Sequence, residues 1–131
     1  MNDDVWNIAL DEIKLVRIKE SLAQLALGED AASRLLEHWL TMSEIHVNYL
    51  IAQMLLAIRT TQEQIGLLDM SCDQLEDGRD AAARLLRYWQ TMDDGVVTSF
   101  ISECLQAIAA AQRVLNEASH GCRISLVPYV Q

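Results

Sequence analysis

Residues 28–42 read GEDAASRLLEHWLTM, and residues 78–92 read GRDAAARLLRYWQTM. Ten of these fifteen positions are identical, among them Gly28/Gly78, Asp30/Asp80, Arg34/Arg84, Trp39/Trp89 and Met42/Met92. Widening the comparison to 13–62 against 63–112 gives nineteen identities in fifty pairs. Self-similarity at a fixed offset marks a repeated structural unit. Two copies fall short of the three or more that stabilise a solenoid, so the expected architecture is a closed helical bundle built from a tandem duplication.

The period inside each copy is helical. Val47, Ile51, Met54, Ile58, Thr61, Ile65, Leu68, Cys72 and Leu75 step alternately by four and three. That spacing lays one apolar stripe along a helix, close to a heptad seam. The same steps recur through Val97, Ile101, Cys104, Ile108, Ala111, Leu115 and Ala118, and earlier through Leu15, Ile18, Leu22 and Leu25. No strand-like alternation precedes the last residues. The reading is all-α, with about five helices: 5–27, 29–42, a long central helix over 44–76, 79–92 and 94–118. Gly28 and Gly78 are expected to end helices in the left-handed conformation. Ser43 and Asp93 are expected N-caps, and Gly66 is the expected place for a kink in the central helix. Residues 1–121 form one domain, and 122–131 form an extended tail in which Pro128 blocks a helix.

The 131 residues suit a single domain, and the 51% apolar content is enough for a true core. The formal charge of −9 sets 19 acidic against 10 basic residues, which repels nucleic-acid phosphates and anionic membranes. No nucleic acid and no membrane is therefore expected as a partner. A protein partner with a basic surface suits the charge. The first copy's would-be recognition helix carries Glu29, Asp30 and Glu37 against Arg34 alone, which argues against a DNA-reading helix-turn-helix. No apolar run reaches bilayer length, and Met1-Asn2-Asp3-Asp4 is unlike a signal peptide. Three cysteines without CxxC spacing fit a reducing, cytoplasmic setting.

Catalytic constellations are wanting. There is no HExxH, no pair of Glu-x-x-His motifs of the di-iron bundle type, no GxSxG elbow and no Gly-rich phosphate loop. His38, His46, Glu37 and Glu44 cluster near a helix break, yet the counterparts of the histidines are Tyr88 and Val96. No metal or cofactor is expected. Cys72 and Cys104 sit on stripe positions as small core residues, and Cys122 is the expected exposed thiol. Trp6 is expected to staple the first turn.

Two sets of residues stand out. Trp39, Met42, Trp89 and Met92 are a candidate ligand pocket, or alternatively core anchors. Glu29 and Glu37 become Arg79 and Arg87 in the second copy, which makes complementary faces a candidate interface, within one chain or across a dimer, Glu29 approaching Arg87 and Glu37 approaching Arg79 in an antiparallel arrangement. Leu126, Val127 and Tyr129 add a candidate docking tail. The expected function is a non-enzymatic interaction protein: an adaptor, escort, inhibitor or antitoxin-like regulator, acting as a homodimer. A small-ligand-binding bundle is the alternative, ahead of a metal-dependent enzyme or an acidic nucleic-acid mimic.

Overall fold

The computed structural model describes the backbone of residues 2–126 and the side chains of residues 10–121. Four α-helices, not five, carry the chain: α1 (Asn2–His38), α2 (Glu44–Leu67), α3 (Asp73–Tyr88) and α4 (Asp94–Leu126). Short 3-10 turns, Trp39–Thr41 and Trp89–Thr91, lead from α1 into α2 and from α3 into α4. No strand occurs among the described residues. α1 packs against α2 and α4, and α3 packs against α4 and α2, so α1 and α3 lie on a diagonal of the bundle.

The turns repeat in detail. Thr41 Oγ1 donates to the His38 carbonyl at 3.2 Å, and Thr91 Oγ1 donates to the Tyr88 carbonyl at 3.0 Å. Ser43 has extended backbone, and its hydroxyl accepts from the His46 N–H at 3.2 Å, capping α2 as its sequence position predicts.

Gly28 and Gly78 do not end helices. Both lie inside them, and no glycine among the described residues has positive φ. What the missing side chain provides is proximity. A Cβ on Gly28 would stand 2.8 Å from Ala57 Cβ and 3.3 Å from Ile108 Cδ1. A Cβ on Gly78 would stand 2.5 Å from Ala107 Cβ and 3.5 Å from Ile58 Cδ1. Shifting both partners by fifty turns one set of contacts into the other, so the two halves pack by the same rule.

The expected central helix is broken after Leu67, just past Gly66. Asp69 adopts φ 58°, its N–H donates to the Gly66 carbonyl at 3.1 Å, and the Met70 N–H donates to the Ile65 carbonyl at 3.0 Å. This is a Schellman ending with aspartate in the left-handed position that glycine usually fills. The core stripe survives the break: Leu68 and Leu75 are both buried on either side of it. At the other end, α4 runs on to Leu126 instead of yielding to an extended tail at 122. Residues 127–131, with Val127, Pro128 and Tyr129, lie outside the described residues, as do the side chains of Trp6, Cys122 and Leu126.

The core uses the same positions from both copies. Leu25 and Leu75, Leu35 and Leu85, Val47 and Val97, Ile51 and Ile101, and Ile58 and Ile108 are all essentially inaccessible to water. Two hydroxyls are buried among them. Ser21 Oγ and Thr61 Oγ1 have no hydrogen-bond partner. Ala111, the counterpart of Thr61, is buried with no polar atom to satisfy. Thr61→Val keeps the shape and removes the orphaned hydroxyl. It is expected to raise unfolding free energy by about 1 kcal/mol in urea titration.

Candidate functional site

The two turns place Trp39 and Trp89 edge to face, with ring centroids 6.3 Å apart and planes at 87°. Trp39 Nε1 donates to Thr98 Oγ1 at 3.4 Å, and Trp89 Nε1 donates to Asn48 Oδ1 at 2.7 Å. Thr98 and Asn48 are themselves repeat counterparts. Each indole therefore reaches from its own hairpin onto the opposite one. Met42 and Met92 pack against the core beside these turns. The four residues of the candidate pocket thus close the bundle, each indole covering the other.

Within one chain the charged candidates do not meet each other. α1 and α3 are diagonal, so Glu29 and Glu37 do not face Arg87 and Arg79 within one chain. Glu29 Oε2 instead accepts from Gln112 Nε2 at 2.6 Å, and Arg79 Nη1 donates to Gln62 Oε1 at 3.4 Å. Gln62 and Gln112 are repeat counterparts. An amide can donate or accept, which lets the same position tolerate glutamate in one copy and arginine in the other. Arg79 also lies near Glu76 and Asp80 at 3.8 and 3.7 Å, while Glu37 contacts only the exposed His38, at 3.5 Å, among the described ion pairs. Arg87 has no ion pair among the described residues.

Chemistry-bearing groups are dispersed. No group of three or more His, Cys, Asp or Glu among the described residues could hold a metal ion. Cys104 is buried, and its Sγ donates to the Gly78 carbonyl at 3.6 Å. Burial, with Glu103 adding repulsion, pushes its thiol from 9.0 up to about 12. At neutral pH an aromatic disulfide reagent is expected to label the half-buried Cys72 quickly and Cys104 only on unfolding. Stability is expected to fall as pH rises above about 9, because the unfolded thiol ionises there and the folded one does not.

One feature that sets the two copies apart lies on α1, where Ile13, Val16 and Leu27 are exposed and their counterparts are Glu63, Gly66 and Asp77. Another lies on the outside of α2. Ile45, Tyr49, Ala52, Leu56, Arg59, Glu63 and Leu67 step by four and three along the side opposite the core, and all seven are exposed. Ile45 is 83% exposed, Tyr49 59%, Leu56 64% and Leu67 67%. The matching positions on α4 are Gly95, Ser99, Ser102, Gln106, Ala109, Arg113 and Glu117. The second copy thus serves as an internal reference for what this fold needs there, and it needs no large apolar side chain. A cleft of about 400 Å³ over this face is lined by Ala52, Leu55, Leu56, Thr60 and Leu86, among others. A second open cleft, about 460 Å³ between α3 and α4, is lined largely by charged and polar residues such as Asp77, Asp80, Arg84 and Glu103.

Comparison of the chain with protein-family models, curated proteins and solved structures returned no match. The α2 stripe was present in the sequence as Ile45/Gly95, Tyr49/Ser99, Leu56/Gln106 and Leu67/Glu117, but the core stripe has the same four-three rhythm. Aligning the copies and asking where apolar residues occur in one alone is the signal that finds it. No helix among the described residues is long and apolar enough to cross a membrane.

Proposed function

We propose that this chain is a non-enzymatic protein-interaction module whose working surface is the outward face of α2. The observation that carries this is the four large apolar side chains exposed there and replaced by polar or small residues on α4. Water-facing apolar strips of this extent mark association sites. Arg59 and Glu63 cancel within the stripe, so the chain's charge of −9 acts at the rim, where it steers encounter with basic surfaces more than it anchors them. The free thiols of Cys72 and Cys104 suit a reducing, cytoplasmic setting.

A tandem duplication of a two-helix unit accounts for both the scaffold and the surface. The nineteen identities, the paired glycine contacts and the reciprocal indole bonds all follow the same offset. In this view the core positions stayed fixed while one outer face became apolar. The test uses wild type, Leu56→Arg and Gln106→Arg as baits in native lysate. An assembly retained by wild type and Gln106→Arg and lost by Leu56→Arg is the expected result. Identical associations for all three would end the reading.

A further inference from the structure

We propose that the occupant of the α2 face is a second copy of this chain, docked antiparallel across a two-fold axis at Leu56. The inference rests on the interaction reading above and names its partner. A two-fold interface must be self-complementary, so each residue has to find a suitable residue when the stripe is reversed onto itself. Reversal about Leu56 sets Ile45 against Leu67 of the second copy at both ends, and Leu56 against Leu56 in the middle. Ala52 then lies opposite Thr60. These small residues stand one turn either side of Leu56 and line the cleft there, which leaves room for a facing leucine.

Tyr49 falls opposite Glu63 in the same register. Its oxygen already accepts from Gln53 Nε2 at 2.9 Å, which leaves its O–H proton directed elsewhere. A carboxylate from the second copy is a fitting acceptor. Glu63 itself has no ion pair among the described residues. Arg59 and Glu63 leave the stripe itself neutral, so it offers a basic occupant no net charge to pair with, and the chain's charge of −9 lies outside it. Area agrees. α2 has 24 residues and is about 36 Å long, so mating it with its copy withdraws roughly 600–800 Å² per chain, the size of a standard stable interface.

The experiment is sedimentation of the purified full chain up to about 100 µM, at low salt and at about 0.5 M salt. Wild type and Gln106→Arg are expected as dimers, and Leu56→Arg as a monomer with unchanged helical circular dichroism. Added salt is expected to leave the dimer intact or tighten it, because it screens repulsion between two acidic chains. Orientation is read with Leu56→Cys in a background with Cys72→Ser and Cys122→Ser. A residue on the axis meets its own copy, so mild oxidation is expected to give a disulfide dimer, and Gln106→Cys is expected to give none.

A monomeric wild type, a dimer that survives Leu56→Arg, or no cross-link through Leu56→Cys would each overturn the proposal. A monomeric wild type whose lysate complex still requires Leu56 would overturn self-association and leave the interaction reading standing with a different occupant. Loss of both would remove both.

Discussion

Gly78→Ala is expected to lower the unfolding free energy by about 2–3 kcal/mol, although alanine is the better helix former by about 1 kcal/mol. The added Cβ would stand 2.5 Å from Ala107 Cβ, against the 3.5–4.0 Å at which carbon atoms sit comfortably. Neither atom can rotate away, since both are fixed to their backbones. α3 and α4 must separate, and the separation loosens the neighbouring layers of Leu75, Leu85, Ile101 and Ile108. The control is the same substitution at Gly66, inside α2, where nothing stands within 4 Å. Gly66→Ala is expected to stabilise by about 0.5–1 kcal/mol. Opposite signs for one chemical change separate close packing from backbone entropy. Ala107→Gly in the Gly78→Ala background is expected to recover about 1–2 kcal/mol relative to the sum of the single changes. Urea midpoints at constant slope provide the measurement. A Gly78→Ala protein as stable as wild type would remove the close approach from the account.

This case also shows what a sequence hides. The helical period and the buried stripes are local patterns, so Val47 through Leu68 and Val97 through Leu115 could be placed from spacing alone. A glycine is ambiguous by its nature. It can end a helix by turning left-handed, or admit a neighbouring backbone while remaining helical. The second use depends on Ala57 for Gly28 and on Ala107 for Gly78, each 29 residues further along the chain. The true ending of α2 was obscure for the converse reason: Asp69 takes a conformation for which glycine is the usual signal. The pairing of Glu29 and Glu37 with Arg87 and Arg79 inside one chain was inferred from signs without knowing that α1 and α3 lie on a diagonal. The α2 face was harder to see for a geometric reason. Two stripes of the same rhythm run along one helix, and spacing alone does not say which one turns inward.

Trp39→Ala is expected to be the costliest single truncation at the turn end, about 3–4 kcal/mol, with Trp89→Ala nearer 2–3 kcal/mol because its ring is less buried. Trp39 is 8% exposed, while Trp89 is only half-buried. Volume alone does not make the case. Each ring is an edge or face for the other, and each N–H satisfies a side chain on the opposite hairpin. Losing either ring therefore strips the contact from the survivor as well. The double alanine variant is expected to be less damaging than the sum of its parts by about 0.5–1.5 kcal/mol, the scale of an aromatic pair. Phenylalanine separates ring from hydrogen bond. Trp89→Phe leaves Asn48 Oδ1 without its 2.7 Å donor and is expected to cost about 1 kcal/mol more than Trp39→Phe loses at the 3.4 Å bond to Thr98. Additive alanine effects would mean that the rings stabilise their own hairpins separately. Coupled effects would mean that they hold the two hairpins to each other, as the crossed hydrogen bonds require.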